Sequence, residues 1–122
     1  ERMDTAVVVI QIIIALGIYN VWILRFGKAT EWRGGTANTM KEEFEVYGLP
    51  TWFLGIIGFL KILFAVLLIA GIWVQSLIQP AAIGMAVLML GAVVMHFKVK
   101  DPLKKSLPAL TMLILSLIVA IA

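Results

Sequence analysis

The sequence predicts an all-α fold: a four-helix transmembrane bundle with a short interfacial amphipathic helix between spans one and two. Two observations carry this. Of the 122 residues, 62% are hydrophobic and only 14% are charged, against about 25% charged in an ordinary soluble domain. The charges are also clustered, so that residues 5–24, 62–97 and 106–122 hold no Asp, Glu, Lys or Arg. An apolar run of roughly 17–25 residues is what a helix needs to cross about 30 Å of hydrocarbon. Stretches such as Ile56-Ile57-Gly58-Phe59-Leu60 lack the period-2 alternation of a transmembrane β-barrel. Helices are therefore favoured, because each satisfies its own backbone in lipid. With no cysteine in the chain, a disulfide-stapled scaffold is excluded.

The spans are expected near 5–24, 52–73, 80–97 and 106–122, forming one membrane domain over 1–122. Tyr19 and Trp22 close the first, and Trp52 and Trp73 bracket the second, as aromatic belts do at the headgroup level. The first window is too long for a signal-peptide core and no small-residue cleavage site follows it. Met3 reads as the natural start, and Ala120-Ile121-Ala122 as a span whose interfacial anchor follows it. Pro50 and Pro80 mark helix starts. The uncharged turn 75–79 is short enough to make spans two and three antiparallel neighbours. Pro108 falls about one turn into the fourth span, which either starts near Lys105 or is kinked there.

Basic residues orient the bundle. Arg25, Lys28, Arg33 and Lys41 lie in loop 25–50, and Lys98, Lys100, Lys104 and Lys105 in loop 98–105, whereas the opposite side holds only Arg2. Both basic loops are expected in the cytoplasm and both termini outside. The net charge of +3 comes without a zinc finger, recognition helix or aromatic-interleaved groove. Nucleic acid is thus excluded as a partner, and anionic headgroups account for the lysines.

Loop 25–50 is too long for a plain turn. Thr39 and Glu42 fit a capping box, Met40, Phe44 and Tyr47 recur at helical spacing, and Gly48 with Pro50 stops the helix. A membrane-skimming helix over about 39–47 is expected, plugging the mouth of the bundle or also contacting a ligand or second protein. Arg33-Gly34-Gly35 before it reads as a flexible turn.

Inside the membrane the most informative residue is Lys61, nine positions beyond Trp52, or about 13 Å of helix rise. A lysine at that depth costs roughly 2.5–3.5 kcal/mol on insertion scales, so its face, with Gly58, Ala65 and Leu68, should turn inward. Three readings stand: an internal polar tie, a site for an anionic or quinone-like headgroup, and an intersubunit contact. Candidate partners are Glu31, Glu42, Glu43 and Glu45 folding over the mouth, Gln11 from span one, or a carboxylate of another subunit. His96 is the lone histidine. No protein-only metal site follows from one histidine without cysteine, so it is expected to cap its helix end, bond to loop one, or relay a proton. Gly55, Gly58 and Ala65 on span two, with Gly84, Gly91 and Ala92 on span three, are small enough to admit a neighbouring helix.

Without a thiol, an HExxH motif or paired intramembrane carboxylates, disulfide exchange, zinc proteolysis and di-iron chemistry have no residues to run on. The stretch Phe26-Gly27-Lys28, then Glu45-Val46-Tyr47-Gly48-Leu49-Pro50, the glycine-bearing start of span two, Met89-Leu90-Gly91-Ala92 with His96, and Pro108 together resemble the DoxX-like family of small bacterial membrane proteins. The resemblance implies a four-helix bundle. It also implies diverse roles, among them quinone-coupled oxidation of sulfur compounds, redox-stress complexes and receptor assembly. Lys28, Gly48, Pro50 and His96 match the family pattern, whereas Lys61 departs from it, since relatives often carry glutamate there.

The expected function is that of an accessory or scaffold protein, holding a partner protein or an amphiphile through the Lys61 cleft and the loop residues Lys28, Glu31, Glu45 and Tyr47. One alternative is a quinone-binding subunit in which Lys61 and His96 bond to quinone oxygens; another is a small oligomeric transport protein. No cofactor is expected beyond a quinone or lipid. The expected partners are membrane lipids and either a second copy or another membrane protein.

Overall fold

In the computed structural model, which describes residues 5–28 and 32–122, four helices are long and apolar enough to cross a membrane. Helix α1 covers Thr5–Tyr19 and continues as a π-helical turn over Asn20–Leu24. The short α2 covers Met40–Val46, α3 Thr51–Ala70, α4 Ile78–Lys98 and α5 Leu103–Ile121. Helix α1 packs on α3 and α5, α3 on α4, and α4 most extensively on α5. The four spans thus form an up-down-up-down ring with α1 opposite α4 and α3 opposite α5. Helix α2 closes one end of the ring, and the 3-10 turn Gln75–Leu77 lies at the other.

Each span turns one stripe inward. On α3 the buried residues are Leu54, Gly58, Lys61, Ala65 and Leu68, a 4-3-4-3 spacing that keeps one helix face on the seam. On α1 the stripe runs Gln11, Ile14, Ile18 and Trp22. Leu16, Phe59, Val66 and Val87 are exposed, as lipid-facing side chains are. Met85 and Met89 fill the centre, where an unbranched thioether adapts to small neighbours.

Several expectations need correcting in detail. Helix α3 ends at Ala70, short of Trp73, because Gly71, Ile72, Trp73 and Val74 turn the chain with bonds back to residues 67–70. Helix α4 begins at Ile78, so residues 78–79 belong to the helix and Pro80 is its third residue, where the missing N–H has no intrahelical role. Helix α5 begins at Leu103 and runs unbroken through Pro108. Gly55 and Gly91 are not packing positions: both are exposed, and a Cβ at either would meet nothing within 4 Å. At 100° per residue Gly55 lies about a quarter turn from the buried stripe of α3 and Gly91 on the face of α4 opposite its stripe. Gly58 and Gly84 do admit neighbours, the rings of Trp22 and Phe64 respectively, and Ala65 is buried.

Candidate functional site

The site is built at the α2 end of the ring. Thr39 Oγ1 accepts from the Glu42 amide at 3.1 Å, and Glu42 Oε1 in turn accepts from the Asn38 amide at 2.8 Å. A capping box of this kind starts a helix too short to persist alone. At its other end Gly48, at φ +79°, makes a Schellman turn: its amide bonds to Glu45 O and that of Leu49 to Phe44 O. Between these stops, Met40, Glu43, Phe44 and Tyr47 all face the bundle. Phe44 meets Trp22 edge-on with ring centroids 6.2 Å apart.

Glu43 is the hub of this cap. Its Oε1 faces Arg33 Nη1 at 3.3 Å, while its Oε2 accepts from Tyr47 Oη at 2.6 Å and from the Gly34 amide at 3.0 Å. Gly34 must be glycine here, since a Cβ would lie 2.5 Å from the Tyr47 ring. The buried Arg33 guanidinium also donates to the carbonyls of Arg25, Phe26 (3.2 Å) and Lys28 (3.0 Å), capping the end of the first span. Burial first, and then the Glu43 charge, push the Tyr47 phenol well above its ordinary value. It remains a neutral donor.

A second Schellman turn supplies the other carboxylate. Lys100 takes φ +59° at the end of α4, and the Asp101 amide bonds back to His96 O at 3.0 Å. This brings the Asp101 carboxylate to His96 Nδ1 at 2.7 Å and to the Gly35 amide at 3.0 Å. His96 Nε2 faces Tyr47 Oη at 3.4 Å, joining the two halves of the cluster. Lys98 Nζ donates to Tyr47 O at 2.8 Å and Lys105 Nζ to Gly35 O at 2.5 Å. The glycine pair is thus a structured turn whose amides hold two carboxylates.

Beneath this roof lies a cavity of about 1130 Å³, slightly above the roughly 300–1,000 Å³ usual for ligand pockets. Lys61 forms its floor. It is the eleventh residue of α3, about 15 Å of rise from Thr51. Its side chain is 9% exposed, and its ammonium lies 5.2 Å from the Trp22 ring centroid, within cation–π range. Among the described residues, no hydrogen bond or ion pair reaches it. Below it Gln11 Nε2 donates to Leu68 O at 2.7 Å, and Ile14, Leu68 and Met85 close the core. Exposed residues such as Ile13, Val21, Val87 and Leu107 also line the cavity, so it opens sideways to the lipid-facing surface.

Of the residues singled out from sequence, the structure therefore gathers Lys61, Tyr47 and His96 around one cavity, with Ala92 on its wall. No hydrogen bond joins Gln11 to Lys61: Gln11 Nε2 donates to Leu68 O, and its Oε1 takes no partner among the described residues. The Lys28 and Glu45 side chains are exposed and away from the cavity. Glu31 and Arg2 lie outside the described residues. The sequence pattern alone does not single out Arg33, Asp101, Lys105 or Trp22 as site residues, and it leaves Glu43 as one of four candidate carboxylates. Among the described residues, no group of three or more His, Cys, Asp or Glu could hold a metal ion.

A family model described as the DoxX-like family matches residues 23–120, most of the chain and the site except Trp22 and Gln11 on the first span. No curated protein and no solved structure shows significant similarity. The match and the four apolar spans make this a multi-pass membrane protein, consistent with the bacterial inner membrane.

Proposed function

The chain belongs to the DoxX-like family, and we propose that it serves in the membrane as an accessory or scaffold protein whose cavity holds an amphiphile beneath the α2 cap. The observation that carries this is Lys61. Keeping a cation at mid-membrane is costly, and here, with no hydrogen bond or ion pair to the described residues, the ammonium meets the Trp22 face and borders a cavity large enough for a ligand. An amphiphile in the cavity supplies the missing polar partner and covers the apolar walls. The partners that fit are membrane lipids and a second copy or another membrane protein against the outer helix faces. The quinone-binding alternative has less support, since both His96 ring nitrogens already face protein groups, Asp101 and Tyr47.

The test is to extract the protein in a mild detergent and identify retained small molecules by mass spectrometry, in parallel with Lys61→Met. An amphiphile retained by the wild type and depleted in a folded variant is the expected result. A wild-type protein carrying none, even after incubation with total membrane lipid, refutes the reading.

The orientation proposed is the one that places loops 25–50 and 98–105 in the cytoplasm, supported by their lysines and arginines. The chain has no cysteine, so single cysteines at the exposed Ser76 and Lys100 can be labelled without background. Ser76→Cys should react from outside the cell and Lys100→Cys should not; the reverse pattern inverts the topology.

A further inference from the structure

We propose, building on the reading that the cavity holds an amphiphile, that its ligand is a single-chain carboxylic acid bound as the anion, with the carboxylate on Lys61 and the hydrocarbon chain along the apolar walls. The charges lining the cavity give the sign. Among the described residues that line it, Arg25, Arg33, Lys61 and Lys105 stand against one carboxylate, that of Glu43, a balance that favours anions.

The hydrogen bonds then say which of those cations is available. Arg33 is committed to Glu43 and to backbone carbonyls, Lys105 to Gly35 O, and Arg25 Nε to Asn20 Oδ1 at 3.1 Å. The Glu43 charge acts on Lys61, but its bonds go to Arg33, Tyr47 and the Gly34 amide, and no hydrogen bond or ion pair joins it to Lys61 among the described residues. Lys61 is left needing one negative charge. A neutral acceptor would take its hydrogen bond but leave the charge uncompensated, whereas an anion provides both. A dianion would bring a second charge that nothing at the floor neutralises.

Depth gives the shape. The floor lies about 15 Å of helix rise below the start of α3; the Trp22 ring packs on Lys61, and the lining residues Ile18, Ile57, Met89 and Met112 carry no polar donor. A two-chain phospholipid placing its phosphate on Lys61 would bury its glycerol and ester groups among these residues unpaired. An acid group attached directly to a hydrocarbon chain has no such groups. It can arrive from the bilayer through the lateral opening, its chain exchanging one apolar surface for another.

Trp22 against the floor provides an optical probe. The protein, reconstituted in zwitterionic nanodiscs, is titrated with a dibrominated stearate, with its methyl ester, and with each in competition against unbrominated oleate. The acid should quench tryptophan emission saturably and bind at least about tenfold more tightly than the ester. Lys61→Met should abolish that preference, and Lys61→Arg should keep it. Equal affinity for acid and ester in the wild type overturns the inference while leaving the cavity occupied. Saturable quenching by neither removes both the inference and the reading beneath it. Should Lys61→Met fail to fold, the acid-to-ester ratio of the wild type and of Lys61→Arg decides alone.

Discussion

Replacing Glu43 by Gln should open the cap without unfolding the bundle. Helix α2 has seven residues, far below the length at which an isolated helix is stable in water, so its order depends on what it touches. Arg33 and Glu43 side chains are 4% and 11% exposed, with N and O 3.3 Å apart. At an effective dielectric of about 20, two unit charges at that distance attract by about 5 kcal/mol, part of which offsets their desolvation. Removing one member of a buried pair generally costs about 3–5 kcal/mol, because the survivor is left uncompensated. Glutamine keeps an acceptor for Tyr47 and the Gly34 amide, which places the cost near the lower figure, about 3 kcal/mol.

Hydrogen exchange reads this directly. The Gly34 amide donates to Glu43 and that of Leu49 to Phe44 O, so peptides spanning 33–49 report the opening of the cap. A cost of about 3 kcal/mol corresponds to roughly hundredfold faster exchange there, with peptides from the centres of α3 and α5 unchanged. An acceleration below about fivefold would match an exposed ion pair, worth at most about 1 kcal/mol, and would refute the cap's dependence on this charge pair. Equal acceleration throughout the bundle would show instead that the cap is not a separate unit.

Three further predictions concern single positions. Tyr47 has its folded-state pKa raised above the ordinary value of 10.0, so the stability it contributes is complete below about pH 10 and declines above it, by up to about 1.4 kcal/mol per pH unit; in an alkaline titration the phenolate absorbance that Tyr47→Phe removes should appear only as the cap opens. Lys100 holds φ +59°, a conformation that costs a non-glycine residue about 1–2 kcal/mol, so Lys100→Gly should raise thermal stability in detergent by about 0.5–1 kcal/mol after the added chain entropy, and a loss of stability would refute the strain. A methyl at Gly58 would fall 2.7 Å from the Trp22 ring, so Gly58→Ala should cost about 1–3 kcal/mol and shift tryptophan emission, whereas Gly55→Ala, facing open space, should gain about 0.5–1 kcal/mol of helix propensity.

The spans were legible because length and charge-free composition are global signals that a boundary shift does not erase. Helix α2 was legible because three local signals agree on it: the Thr39–Glu42 cap, the apolar stripe and the Gly48 stop. The edges were misjudged where a residue's usual meaning did not hold. Pro80 does sit in the first turn of its helix, two residues after the start, whereas Pro108 is tolerated as the sixth residue of α5 and marks no boundary. Gly55 and Gly91 show that small size alone does not place a residue on a helix interface; its angular phase does. Asp101 was hidden for a different reason. Its position depends on a left-handed turn at Lys100, a residue type that gives no sign of that conformation.

Glu43 marks how far the sequence could have been pressed. By charge alone the carboxylates of the loop are equivalent, and any of them could cover a cation below. At 100° per residue, however, Met40, Glu43, Phe44 and Tyr47 fall within about one third of a turn of each other, while Lys41, Glu42 and Glu45 point the other way. Glu42 is in addition needed by the cap. Phase therefore selects Glu43 as the inward carboxylate, one turn from Tyr47, which is the pairing the structure shows. What phase could not supply is that Arg33 would reach this carboxylate first. That outcome depends on the path of the loop ahead of α2, and it leaves Lys61 without an ion pair among the described residues.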